Sequence, residues 1–110
     1  MGSKDDKYYM SQALEEIKII IEYTLGISKE EFLKDRKTVD AVVFRLQQMI
    51  EHVKSISKEF KNVHPEVPWN DIIGFRNKIV HEYGKADYST VYESATIDIY
   101  QLKELFERNI

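Results

Sequence analysis

The stretch PWNDIIGFRNKIVHEYGKAD, residues 68–87, decides the fold because it reads as one amphipathic helix with its own start and stop. Pro68 suits the first turn, where a missing N–H costs no hydrogen bond, and Gly84 fits the position after the last turn. The helix has about four turns, with Trp69 as a core anchor and Gly74 as a point where another helix comes close. Its apolar positions recur at helical spacing: Trp69, Ile72, Ile73, Ile79, Val80 and Tyr83.

Arg76 interrupts this apolar stripe with a permanent positive charge. A buried guanidinium is costly unless it is paired or faces a polar cleft. One interpretation is a structural ion pair with a carboxylate such as Asp71 or Glu51. The other is a clamp on a phosphate through bidentate hydrogen bonds. Five residues further on lies His81, the side chain best suited to proton transfer near neutral pH.

Two helices are predicted in the first third of the chain. Residues 9–25 carry apolar side chains at helical spacing, and Gly26 supplies the stop. Ser28 and Glu31 match the capping-box pattern Ser-x-x-Glu, which opens a short helix through about Lys34.

Two longer helices flank the opening stretch. Thr38 can cap the first of them, whose apolar residues recur with a mean step near 3.5. It should stop near His64, since Pro65 pushes the preceding residue out of the helical region. Asp87 and Ser89 are alternative caps for the last helix. The apolar face of that helix comprises Val91, Tyr92, Ala95, Ile99, Leu102, Leu105 and Phe106.

These segments predict an all-α fold. The sequence contains no alternating pattern that requires a strand and no internal repeat. Short turns favour antiparallel neighbours, so we expect an antiparallel up-and-down helical bundle with four main helices plus one short helix. With 110 residues the chain is one domain, residues 4–110, and Met1–Ser3 reads as a cloning remnant.

Composition narrows the functional classes. A hydrophobic content of 43% is enough for a core and argues against disorder. The absence of cysteine excludes disulfides, thiolate catalysis and Cys-based zinc sites, and suits a reducing cytoplasm. No apolar run approaches the ~20 residues that cross a bilayer, so we expect no membrane association. His52, His64 and His81 lack metal-ligand spacing, and we expect neither a metal nor a cofactor.

The formal net charge of −3 counts against broad, nonspecific nucleic-acid binding. It does not exclude a local basic cleft, because Lys78 and Lys85 lie close in sequence to Arg76 and His81, as a phosphate-binding site requires. For each lysine taken alone, an ordinary solvated charge is the favoured interpretation.

The segment RNKIVHEY, Arg76–Tyr83, resembles the R-x4-H-x-Y motif of HEPN-domain proteins. It is most similar to the HepT-like toxin of the nucleotidyltransferase/HEPN toxin–antitoxin pair. The resemblance extends over Trp69–Tyr83 and Phe32–Val42, and it covers most of the chain from Tyr8 to Phe106. One departure is Ile50–His52, where the family commonly has Gly-Glu-Ala and only the Glu is kept.

The resemblance implies a metal-independent endoribonuclease toxin that acts as a homodimer. Arg76 and His81 would be catalytic, with Asn77 and Lys78 supporting them or binding RNA. The nucleophile would be the ribose 2′-OH of the RNA itself. The cognate nucleotidyltransferase antitoxin would silence the toxin by transferring AMP to Tyr83, whose added charge would obstruct entry of the RNA phosphate.

Helical geometry bears on how this site could work. Residues five apart point about 140° apart on a helix, so Arg76 and His81 converge poorly within one chain. A two-fold dimer that pairs two motif helices could complete the site. Asn77 lies four residues before His81 and could orient its imidazole, or could simply be solvated. Tyr83 could equally be an aromatic residue at the edge of the core.

Two other functions stay open. A noncatalytic HEPN module that binds a nucleotide or RNA and partners a nucleotidyltransferase could use the same residues. A helical-bundle interaction protein would need Arg76 only as a structural ion.

Overall fold

A computed structural model of the protein describes residues 4–82 and 88–110, with side chains for 5–79 and 88–110. The described chain is helical and contains no strand. Its helices are α1 (Lys4–Thr24), α2 (Lys29–Lys34), α3 (Arg36–Lys54), α4 (Lys58–Asn62), α5 (Trp69–Glu82), α6 (Tyr88–Glu93) and α7 (Ile99–Arg108). A π-helical turn, Ser94–Asp98, joins α6 to α7 without a break.

The long helices form the predicted bundle. α1 packs along α3, α5 also packs against α3, and α7 packs against α1. The start of α1 lies beside the end of α3, since Asp6 bonds to Ser57, so these two helices are antiparallel. The all-α prediction with four main helices is confirmed, if α6, the π turn and α7 count as one. Two short helices, α2 and α4, accompany them instead of one.

The turn and the helix cap predicted before α2 are confirmed. Gly26 has φ +75°, a left-handed conformation that glycine adopts without strain. The capping box is formed on both sides: the Glu31 N–H donates to Ser28 Oγ at 3.1 Å, and the Ser28 N–H donates to Glu31 Oε1 at 2.9 Å. These bonds stabilise the carboxylate, and the pKa of Glu31 is lowered by its hydrogen bonds from Ser28.

The cap of α3 differs from the prediction. Asp35 is the N-cap residue, and its carboxylate accepts hydrogen bonds from the N–H and the hydroxyl of Thr38 at 3.2 and 2.7 Å. Thr38 therefore lies inside the first turn instead of capping it. An acidic side chain is as good a cap as threonine, so the sequence pattern alone could not choose between them.

The predicted end of α3 near His64 is wrong. The helix ends at Lys54, and a separate helix, α4, begins at Lys58. Ser57 between them has an extended backbone and accepts a hydrogen bond from the N–H of Phe60 at 3.1 Å. Apolar periodicity hid this break, because Ile56 within it and Phe60 beyond it are both buried.

At the start of α5, Trp69 is a core anchor as predicted. Its side chain is 8% exposed, it lies between the rings of Phe60 and Phe106, and its Nε1–H donates to the His64 carbonyl at 2.9 Å. The prediction for Gly74 is wrong within the described residues. Gly74 is exposed, and a Cβ added there would meet no atom within 4 Å.

The predicted apolar face of the last helix is buried or half-buried over its whole length. Val91, Ala95 and Ile99 are four residues apart, a wider step than the α-helical 3.6, and the π turn keeps them on one side. Ser89 lies inside α6 and does not cap it. Asp87 and Gly84, the other predicted cap and stop, lie outside the described residues. None of the described helices is long and apolar enough to span a membrane.

Candidate functional site

Arg76 lies between two buried residues of α5, Ile72 and Ile79, one turn away on either side. Its own side chain is nevertheless 45% exposed, because the long chain reaches from the apolar stripe to the surface between α5 and α3. The stripe position predicted from the sequence is confirmed, and the guanidinium itself is at the surface. An exposed guanidinium at a helix–helix seam is accessible to a ligand phosphate.

The partner of Arg76 is Glu51 of α3, with 3.5 Å between Nε and Oε2. The Glu51 side chain is 52% exposed and also lies 3.7 Å from Lys54 Nζ. Exposed ion pairs of this kind contribute about 0–1 kcal/mol, so an incoming phosphate can replace the carboxylate at little cost. Of the two carboxylates suggested by the sequence, Glu51 is the one that pairs with Arg76.

Asn77 and Lys78 are both exposed on α5. Asn77 shares a surface stripe with Asn70 and Gly74, which lie seven and three residues before it. Within the described part of the chain, neither Asn77 nor Lys78 forms a side-chain hydrogen bond to Arg76. Both are free to meet a ligand that approaches α5 from solvent.

The other predicted site residues are only partly described. The backbone of His81 belongs to α5, which runs as one helix from Arg76 through position 81. The His81 side chain lies outside the described part, as do Tyr83 and Lys85 entirely. The convergence of Arg76 with His81 and the role of Tyr83 therefore stay predictions.

A polar cluster that the sequence did not reveal joins α1 to α3. Glu16 pairs with Arg45 Nη1 at 3.1 Å and lies 3.6 Å from His52 Nε2. Hydrogen bonds to Glu16 and Tyr23 raise the pKa of Arg45. These residues lie on two helices that are far apart in sequence, so no local spacing could have predicted the cluster. Its internal pairing favours a structural role.

His64 lies outside this cluster, beside an aromatic ring and a carboxylate. His64 stacks on Phe60, with 4.3 Å between ring centroids, and lies 3.7 Å from Glu66. In residues 5–79 and 88–110, no group of three or more histidine and carboxylate side chains is arranged to hold a metal ion.

Two concave regions border the N-terminal half of α5. The first, called the polar groove below, has a volume of about 600 Å³ and lies between α4 and α5. Its polar lining residues are Lys58, Lys61, Asn62, Asn70 and Asp71. The second, the apolar cavity, has a volume of about 300 Å³ and lies between α3, α5 and the last helix. It is lined by Leu46, Met49, Ile72, Phe75, Ile99 and Leu102, with the carboxylates of Asp71 and Asp98 beside them.

Comparison with known protein families assigns the chain. The model of the family described as "Ribonuclease HepT-like" matches residues 13–108. The chain belongs to this HepT-like ribonuclease family. The matched segment includes α5, Glu51 and the whole Arg76–Tyr83 motif, so the resemblance found in the sequence is confirmed.

Three individual relatives align with the chain over nearly their whole length. "Probable ribonuclease HepT" of Thermococcus cleftensis is 36% identical over 105 residues, 96% of each chain. TTE0752 of Caldanaerobacter subterraneus subsp. tengcongensis is 37% identical over 101 residues. The match covers 92% of this HepT-like chain and 90% of TTE0752, whose name gives RNase as a provisional assignment. MJ1216 of Methanocaldococcus jannaschii, with the same kind of name, is 34% identical over 110 residues, 100% and 91% of the two chains. No solved structure matches the chain with statistical significance.

Proposed function

We propose that this HepT-like protein is a metal-independent endoribonuclease and the toxin of a toxin–antitoxin pair. The observation that carries the proposal is Arg76. Its guanidinium is accessible at the surface of the motif helix, and its ion-pair partner among the described residues is an exposed carboxylate 3.5 Å away. Family membership supports RNA as the substrate.

In the proposed reaction the RNA supplies its own nucleophile. The ribose 2′-oxygen attacks the adjacent phosphorus and loses its proton to a base, while the P–O5′ bond breaks and the leaving O5′ gains a proton. His81 would act as the base or the acid in this exchange. Arg76 would leave Glu51 and form bidentate hydrogen bonds to the phosphate as negative charge develops on it. The products are a 2′,3′-cyclic phosphate and a 5′-hydroxyl.

Dimerisation is part of the proposal, because Arg76 and His81 point about 140° apart on one helix. A second copy related by a two-fold axis would bring a second motif helix to the same cleft. Light scattering should then give about twice the chain mass of 13.0 kDa. Full RNase activity in a strictly monomeric protein would contradict the shared cleft.

Regulation by a nucleotidyltransferase antitoxin would act through Tyr83. AMP on its hydroxyl would add bulk and negative charge close to Arg76 and His81 in sequence, and so would repel an RNA phosphate. Incubation with the partner enzyme and ATP should add the mass of AMP to the peptide that contains Tyr83. Equal modification of the Tyr83→Phe variant would show that another residue accepts the group.

The test of the enzyme proposal uses purified protein, one RNA and excess EDTA, with His81→Ala as the control. Wild type should cut RNA but not DNA, and should leave 2′,3′-cyclic phosphate or 3′-phosphate ends. His81→Ala should lose about 10²–10⁴ in rate, the typical contribution of a general acid or base. Binding without cleavage of any RNA would favour the noncatalytic binding module. Cleavage that is undiminished in His81→Ala would refute the site.

A further inference from the structure

The polar groove between α4 and α5 differs in charge from the protein as a whole. Among the residues that line it, Lys58 and Lys61 are cationic, and Asp71 is the one carboxylate. Asn62 and Asn70 add side-chain amides, which can both donate and accept hydrogen bonds. The groove thus offers positive charge and amides in a protein whose net charge is −3. Lysine and asparagine side chains in this combination contact the phosphates and sugars of nucleic acids.

Both lysines are able to accept an anionic partner. Lys58 is exposed, and none of the carboxylates in the described part of the chain lies within ion-pair distance of it. Lys61 is half-buried, and this burial lowers the pKa of its ammonium group, while the charge of Asp6 opposes that effect. Asp6 already accepts two hydrogen bonds from Ser57. An incoming phosphate would therefore give Lys61 a charge partner that it now has to share.

An exposed surface leads from this groove towards the motif. Asn70 lines the groove, and Gly74 and Asn77 continue along α5 at four- and three-residue steps, all three exposed. Position 81 follows at the next step of four, roughly 16 Å from Asn70 at 1.5 Å per residue. Gly74 adds no side chain to this surface, and no atom lies within 4 Å of the place that its Cβ would occupy. With strand phosphates about 3.4 Å apart along a helix, that length corresponds to no more than about five nucleotides.

The apolar cavity, which shares Pro68 and Asp71 with the polar groove, is unsuited to RNA. Its lining is largely aliphatic and aromatic, and its two charged residues are acidic: Asp98, and Asp71, which also lines the polar groove. None of its described lining residues is cationic, so unlike the polar groove it offers a phosphate no charge partner. Within the described residues neither carboxylate has an ion-pair partner that would neutralise it. Charge therefore directs an RNA strand that contacts Arg76 towards the polar groove.

We propose that the polar groove is a binding subsite for the single-stranded RNA that flanks the cleaved bond. Lys58 and Lys61 pair with backbone phosphates, and Asn62 and Asn70 donate hydrogen bonds to the strand. The inference rests on the proposed ribonuclease function and adds a substrate requirement to it. A strand long enough to reach the groove binds more tightly than one that covers only the motif.

The experiment compares Lys58→Gln/Lys61→Gln with the matched control Lys18→Gln/Lys34→Gln, which removes two exposed lysines from α1 and α2. RNA affinity is measured at several salt concentrations between about 50 and 200 mM, because protein–phosphate contacts weaken over this range. His81→Ala is included in every protein so that the RNA stays intact. Thermal melting verifies that each variant is folded.

The groove variant should reduce the slope of log affinity against log salt by about 1.4, since each lost single-strand phosphate contact contributes about 0.7. Its affinity for a strand of about fifteen nucleotides should fall about tenfold, and its affinity for one of about four nucleotides should not change. The control variant should match wild type. A groove variant with the slope and affinity of the control would overturn the proposal.

The groove and the enzyme proposal can fail separately. If wild type with His81 intact cuts RNA but the groove variant binds as the control does, the groove is wrong and the ribonuclease stands. If the slope falls as expected but wild type cuts no RNA, the groove stands and the protein is a binding module. If wild type binds no RNA at all, the groove proposal fails.

Discussion

Glu51 and Asp6 are two carboxylates near the C-terminal end of α3, and they are held in opposite ways. Glu51 is half-exposed and lies 3.5 Å from Arg76. Asp6 is 2% exposed and accepts two hydrogen bonds of 2.7 Å, from the N–H and the hydroxyl of Ser57. Ser57 in turn caps α4 by accepting the N–H of Phe60. Glu51 thus pairs with the Arg76 side chain, which a ligand can draw away. Asp6 instead fixes the backbone at Ser57, between α3 and α4.

The difference separates stability from function within one small domain. Hydrogen bonds to a buried charge contribute about 1.5–3 kcal/mol each, whereas an exposed ion pair contributes about 0–1 kcal/mol. Replacing Asp6 should therefore loosen the fold. Replacing Glu51 should release Arg76 and leave the fold almost as stable as before.

The largest expected effect on stability is that of Asp6→Ala. It leaves the Ser57 N–H without its partner in a partly buried site, and we expect a loss of about 3 kcal/mol in the free energy of unfolding. Urea denaturation measures it. Asp5→Ala is the matched control, because Asp5 lies in the same first turn but is exposed, and it should change stability by less than about 0.5 kcal/mol. Equal effects of the two substitutions would contradict the structural role of Asp6.

A smaller effect is expected for Ser57→Ala, which removes the cap of α4 and one of the two bonds to Asp6 but keeps the backbone N–H. The loss should be about 1–2 kcal/mol, the usual cost of removing a serine cap. In a double-mutant cycle, Asp6 and Ser57 should couple by more than about 1 kcal/mol, since they share a bond. Coupling within experimental error would mean that the two residues act independently.

The smallest effect on stability is expected for Glu51→Gln. The same substitution should strengthen RNA binding. Unfolding free energy should change by less than about 1 kcal/mol, and RNA affinity should rise by up to about fivefold, because no carboxylate competes for Arg76. Glu104→Gln is the control, since Glu104 pairs with Arg108 at 3.4 Å on the exposed side of α7. A weaker affinity in Glu51→Gln than in this control would show that Glu51 helps to bind the RNA.

Local signals in the sequence predicted much of this fold. The capping box of Ser28 and Glu31, the turn at Gly26 and the burial of Trp69 depend on neighbouring residues, and all three are confirmed. The break after Lys54 depends on Asp6, which lies 51 residues before Ser57. A periodic pattern carries no trace of a hydrogen bond between such distant residues, so α3 was predicted too long.

The site shows the same division. The Arg76 motif is local and could be read directly, whereas the polar groove combines Lys58 and Lys61 of α4 with Asn70 of α5. On a predicted continuous helix, these lysines would have been ordinary solvated charges. Only the turn between α4 and α5 brings them beside the start of the motif helix.

The central claim is that Arg76 binds the phosphate of the cleaved bond, and single-turnover RNA cleavage with Arg76→Ala and Arg76→Lys tests it most directly. Arg76→Ala should lower kcat/KM by about 10²–10³-fold and weaken RNA binding, because the charge acts on both the ground state and the transition state. Arg76→Lys should recover only part of the rate, since a point charge cannot reproduce the bidentate contact. Cleavage and affinity that stay within about twofold of wild type in a folded Arg76→Ala protein would contradict the claim.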